Sequence, residues 1–136
     1  RVSDERVLAG SSLGGLFALF TLFERPELFR SVVAISPAVG WDERWLFARE
    51  RAFRAQNAEL RARLWLGVGE LEWPHFTAAC RDFCAQIAAS AYDDLALSTS
   101  VIAGERHSSV KPEAFNRGLR FVFEPWSATR PANGQL

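Results

Sequence analysis

What the 136-residue chain lacks already excludes several kinds of protein. It has no excess of charge: 16 Lys and Arg stand against 16 Asp and Glu, a formal net charge of zero. Nucleic acids and anionic membrane surfaces are bound through a concentrated positive field, and no such footprint is present. Long hydrophobic runs are missing too, since every apolar stretch falls well short of the roughly 18 residues a membrane-spanning helix needs. Cysteine is scarce, with Cys80 and Cys84 the only two. Four residues apart in a helical pattern they share a face, but nothing else in the chain supplies metal ligands around them. They read as buried free thiols, and neither a metal nor a cofactor is implied. Histidine is as scarce: His75 and His107 are the two candidates for any general base. The chain opens on Arg1 without Met and without a charged-then-apolar leader, as a mature product, an excised domain or an incomplete chain would.

What is present describes one globular domain. The content is 49% hydrophobic and 24% charged, and the length suffices for a real core. Strand and helix patterns alternate four times. Val7–Ala9 feeds a helix through about Phe23 that stops near Arg25-Pro26. Ser31–Ser36 is a second strand, followed by an arginine-rich helical stretch from Trp41 to about Leu60. Arg63–Val68 is the third strand, with a helix from about Pro74 to Ala91. Leu95–Ile102 is the fourth, with a helix from about Pro112 to Phe123 ended by Pro125. This order predicts the α/β class, a parallel sheet with packed helices, over residues 1–126, and a frayed tail over 127–136.

The stretch Gly10-Ser11-Ser12-Leu13-Gly14-Gly15 lies between the first strand and the first helix. Gly-x-Ser-x-Gly in strand–turn–helix context is the arrangement of a serine nucleophile elbow. By chance the bare pattern occurs in about one chain in twenty of this length, so its placement carries the weight. A serine on so sharp a turn is held in strained backbone, and side chains at Gly10 and Gly14 are expected to collide with the neighbouring strand and helix. The helix that follows aims free N–H groups, Leu13 first, at the place where an oxyanion would form.

A serine hydroxyl needs a base within reach. His107 lies in Gly104-Glu105-Arg106-His107-Ser108-Ser109, straight after the fourth strand, and loops at the carboxyl ends of parallel strands share one edge. His75, just inside the third helix, fits a surface or capping role. The chain order Ser, acid, His places the acid after the third strand, where Glu70 and Glu72 project to the same side and spacing cannot separate them. Asp42 and Glu43 follow the second strand, Glu105 is local to His107, and Asp93 and Asp94 lie at the opposite edge. Glu72 is the acid chosen. Trp41, Trp45 and Trp73 fall at the catalytic edge, where they either line an acyl or aromatic pocket or cap the core; Trp41 and Trp73 are the substrate-binding candidates. Arg44, Arg49, Arg51, Arg54, Arg61 and Arg63, interleaved with Glu43, Glu50 and Glu59, read as a solvated face of charge pairs, with a basic rim for an anionic ester as the alternative.

Val7–Leu16, Val32–Pro37, Gly67–Glu72 and Gly104–Val110 together resemble the putative-esterase family of α/β-hydrolases, above all its enterochelin (siderophore) esterase-like members. The resemblance runs from about Arg6 to Phe123. It implies Ser12 as nucleophile, His107 as base and Glu72 as the acid, with no cofactor and a small-molecule ester as the partner. Pro37-Ala38-Val39-Gly40-Trp41 stands where relatives often carry paired tryptophans, a departure that concerns the substrate pocket. Family members also include mycolyltransferases, so acyl transfer is a second enzymatic expectation. Only about nine residues precede the elbow, where a complete hydrolase of this kind has several strands and a second oxyanion donor. The expectation is therefore the C-terminal half of an esterase. An inactive piece that self-associates through the exposed edge of its first strand is the rival outcome.

Overall fold

A computed structural model describes residues 6–127, with side chains through residue 124. The elements run β1 (Val7–Ser11), α1 (Leu13–Glu24), β2 (Ser31–Ile35), α2 (Trp41–Gln56), β3 (Glu59–Gly69), α3 (Pro74–Ser90), β4 (Asp93–Ile102) and α4 (Lys111–Ser127). The four described strands pair in parallel in the order β1-β2-β3-β4. Because each crossover steps to the adjacent strand in the same direction, right-handed connections put α1, α2 and α3 on one face of the sheet. The period-2 alternation of β2 shows the result. Val32 and Ala34 join Leu19, Leu22, Leu46 and Phe83 in the larger core, whereas Val33 and Ile35 join Trp65, Val110, Ala114 and Val122 under α4. Parallel strands covered on both faces read as continuous apolar runs, which is why Ser31–Ile35 and Arg63–Val68 stood out in the sequence.

Several boundaries differ from expectation for identifiable reasons. β3 starts at Glu59, not Arg63: its first residues alternate, with Leu60 and Ala62 buried and Glu59 and Arg61 exposed, and in the sequence these charges continue the pattern of the preceding helix. The arginine-rich stretch ends at Gln56 and is kinked at its start, where Asp42, Glu43 and Arg44 have positive φ. α4 continues through Pro125 to Ser127, since a proline in the last turn removes only one late hydrogen bond. Of the tail expected over 127–136, residues 128–136 lie outside the described residues.

The glycine expectations divide. A Cβ at Gly10 would sit 2.2 Å from the Gly14 carbonyl oxygen, a backbone collision, so Gly10 is obligatory. At Gly14 nothing lies within 4 Å, so no clash forbids a side chain there. The tight contact belongs to Gly15, whose Cβ would meet Pro37 at 3.0 Å.

Candidate active site

The carboxyl ends of the strands bring Ser12, Glu72 and His107 to one edge. Ser12 follows β1 with φ 57 and ψ −118, a conformation that costs a non-glycine residue about 1–3 kcal/mol and persists only where surroundings enforce it. Here three backbone bonds enforce it. The Ser12 N–H donates to the Ile35 carbonyl (2.9 Å), and the Ser12 carbonyl accepts from the Leu16 and Ala38 N–H groups (3.0 Å each). The Leu16 bond is the first of α1, so the N–H groups of Leu13, Gly14 and Gly15 precede it at the positive end of the helix. The Leu13 side chain itself is exposed.

Glu72 and His107 form a bonded pair. His107 Nδ1 lies 2.6 Å from Glu72 Oε2, and the Glu72 side chain is 0% exposed against 23% for His107. A carboxylate only accepts, so Nδ1 carries a proton, and in the neutral ring Nε2 is the nitrogen with the lone pair. The other carboxylate oxygen, Oε1, accepts from Ser36 Oγ (2.5 Å) and from the Gly69 N–H (2.8 Å). The imidazole is packed by Trp73 (ring centroids 5.5 Å apart) and, edge to face, by Phe76 (5.1 Å). Two loops are tied to each other around this pair. The Leu71 N–H donates to the Glu105 carbonyl and the Gly104 N–H to Glu70 Oε2, both at 2.9 Å. A cavity of about 430 Å³ opens beside the imidazole, lined by Leu71, Glu72, Trp73, Pro74, Arg106, His107 and Ser108.

The sequence-derived candidates are distributed as follows. Glu72 contacts His107, whereas Glu70 clamps the backbone of the His107 loop and Glu105 accepts from Ser109 Oγ. Ser12 Oγ makes no hydrogen bond among the described residues. His75 is exposed at the start of α3. Trp73, 57% exposed, lines the cavity, whereas Trp41, 54% exposed, is absent from its lining and packs edge-on against Trp45 at 6.3 Å. The arginine-rich stretch forms charge pairs away from the cavity, Arg44 with Asp82 and Arg49 with Glu24, as a solvated face would. Glu50 departs from that face: it is fully buried. Burial pushes the Cys80 thiol up to about 12 and that of Cys84 up to about 11, and both cysteines are free.

Ser36, Gly69 and Phe76 were not singled out in the sequence. Ser36 and Gly69 close the apolar runs of β2 and β3 at the carboxyl edge, a position that could have marked them. Phe76 in the first turn of α3 carries no such signal.

A parallel sheet with helices on both faces and a serine, a histidine and a carboxylate at its carboxyl edge is the arrangement of the α/β-hydrolase class. The family model described as "Putative esterase" matches residues 1–108, and the chain belongs to that family. Ferri-bacillibactin esterase BesA of Bacillus subtilis is 28% identical over 127 residues, spanning 88% of this chain and 43% of that protein. The BES protein from Bacillus cereus superposes with a TM-score of 0.79 at 28% identity, over 88% of this chain and 45% of its own. An IroE-like serine hydrolase from Shewanella oneidensis superposes with a TM-score of 0.82 at 19% identity, over 91% and 42%, a likeness of fold alone. The chain spans less than half the length of the leading curated relatives it matches.

Proposed function

We propose that the chain carries the catalytic residues of a serine esterase. Ser12 Oγ attacks the ester carbonyl carbon while its proton passes to His107 Nε2. His107 returns that proton to the departing alcohol, leaving an acyl group on Ser12, and the same base activates the water that releases the acid. Glu72 holds the imidazole with Nε2 toward the reacting atoms and stabilises its cationic form. The Leu13 N–H, at the start of α1, stabilises the developing oxyanion. The observation that carries this reading is the 2.6 Å contact between buried Glu72 and half-buried His107 on the edge where Ser12 is held in strained backbone. Trp73 is proposed to contact the substrate, from its place in the cavity wall. Trp41 retains only its place near the edge. Siderophore-type esters are the proposed substrate class, supported by the names of the curated relatives.

A fluorophosphonate probe with mass-spectrometric mapping tests the reading. The expected adduct is on Ser12, absent in Ser12→Ala; a folded chain that takes no label contradicts the reading. Release of p-nitrophenol from short esters and hydrolysis of ferri-bacillibactin then address substrate, and product analysis with an added alcohol separates hydrolysis from acyl transfer. A second reading, that this chain by itself does not turn over, draws on the Ser12 hydroxyl having no hydrogen bond to His107 among the described residues. Catalytic hydrogen bonds often tighten only with substrate, which keeps the first reading ahead.

A further inference from the structure

The carboxyl end of β2 touches both halves of the site. On one side, the Ile35 carbonyl accepts the Ser12 N–H and the Ala38 N–H donates to the Ser12 carbonyl. On the other, Ser36, with no solvent exposure, gives its hydroxyl to Glu72 Oε1 at 2.5 Å. Ser36 also sits at φ 41, in the left-handed region where glycine is the unstrained residue. Its own N–H is bonded to the Gly67 carbonyl at 2.7 Å, so the backbone is fixed and the hydroxyl has a defined origin.

The carboxylate needs such a contact. The terminal torsion of a glutamate is broad, so burial alone does not fix the plane in which the carboxylate offers an oxygen to the imidazole. Two donors on Oε1, the Ser36 hydroxyl and the Gly69 N–H, stop that rotation and leave Oε2 for His107. The Gly69 N–H comes from the same local turn as Glu72 and moves with it. Ser36 directly follows a different strand, β2, whose end is bonded to the Ser12 turn, and ties the orientation of the acid to the position of the nucleophile.

We propose that Ser36 is a positioning residue for the reaction: its hydroxyl locks the Glu72 carboxylate with Oε2 toward His107, and residues Ser36-Pro37-Ala38 couple that lock to the Ser12 turn. This rests on the roles given above to Ser12, His107 and Glu72.

Ser36→Ala and Ser36→Gly both remove the hydroxyl, but only the glycine also relieves the positive φ. Both are expected to slow fluorophosphonate labelling of Ser12 about 10-fold, the scale of one lost hydrogen bond to a charged group. On a p-nitrophenyl ester kcat should fall while KM holds, even where Ser36→Gly melts no lower than the parent. In a Glu72→Ala background the same substitutions should change the labelling rate by less than about 2-fold, because the group they position is gone. An equal drop in both backgrounds, or an undiminished rate in Ser36→Gly, overturns the proposal. A parent chain that takes no label contradicts the catalytic reading instead. The role of Ser36 is then decided by the ring Nδ1–H proton resonance of His107, which needs no turnover. It should be displaced or broadened in both Ser36 variants, and an unmoved resonance overturns the proposal.

Discussion

Glu50 and Glu72 are both buried and both accept three side-chain or backbone donors, yet only Glu72 stands beside the candidate site. Glu50, on α2, accepts from Gln86 Nε2 (2.5 Å), Ser90 Oγ (2.6 Å) and the Tyr92 hydroxyl (2.7 Å). All three are neutral donors on or just after α3, and Arg54 covers the Tyr92 ring from outside. That cluster fastens α2 to α3. Glu72 accepts from two neutral donors and from an imidazole whose far side opens to a cavity. The count of bonds is the same; the chemistry of the third donor is not. Saturated hydrogen bonding tells only that a buried carboxylate is rigid. A partner with a second ring nitrogen free to take up a proton, beside an open cavity, is what turns rigidity into a candidate site for proton transfer.

The contrast can be broken at several points. The largest effect is expected at His107: His107→Ala should lower Ser12 labelling and ester turnover by about 10²–10⁴-fold, the usual worth of a general base. The melting temperature should fall less than that of Glu50→Ala, because water from the adjoining cavity can take the place of the imidazole at Glu72 Oε2, and stopped-assay rates with thermal melts check both. Glu50→Ala should do the reverse. It leaves the donors of Gln86, Ser90 and Tyr92 without their acceptor, at a cost of about 3 kcal/mol and roughly 10 °C in melting temperature. Below that temperature, labelling of Ser12 should stay within about 2-fold of the parent.

Smaller effects follow at the cavity wall. Trp73→Ala should raise KM for an aromatic ester by about 2- to 10-fold through the lost ring contacts, and Trp41→Ala should leave KM unchanged within about 2-fold. Equal effects of the two would mean that the substrate reaches beyond the His107 cavity. The smallest effect is alkaline. Burial raises Cys80 and Cys84 to about 12 and about 11, and burial together with the bond to Glu50 raises Tyr92 as well. Unfolded, thiols release protons from about pH 8.5 and tyrosine from about pH 10. Above those values the folded chain holds more protons than the unfolded one, so unfolding free energy should fall as pH rises through about 9 to 11. Urea midpoints across that range check the slope, and Tyr92→Phe should flatten its upper part.

Much of the scaffold was legible in the sequence because it is written in local pattern. The four strand–helix units follow from apolar runs such as Val32–Ile35 and from the helical spacing of Leu16, Leu19 and Phe23. Ser12 was legible as the candidate nucleophile from a motif with a steric cause at Gly10, and His107 as the candidate base from its place after β4. Glu72 could be separated from Glu70 only in three dimensions. In the folded chain Glu70 turns to the Gly104 backbone while Glu72 turns inward to His107, a choice set by the turn after Gly69. Glu50 looked like one charge of a solvated face because its partners come from 36–42 residues further along the chain. Ser36 was hidden for the same reason, bonded to a residue 36 positions away. Helical and strand periods report which face is covered; they do not report what covers it.

The most direct measurement is the rate of fluorophosphonate labelling at Ser12 in Glu72→Gln and Glu50→Gln, side by side with the parent at one temperature below all three melts. Glu72→Gln should be slowed by at least about 10²-fold, since the amide no longer holds the imidazole in its working tautomer. Glu50→Gln should label within about 2-fold of the parent, however much its melting temperature falls. Equal slowing of the two variants, or an undiminished rate in Glu72→Gln, would contradict the assignment of His107 as the base and Glu72 as the acid that orients it.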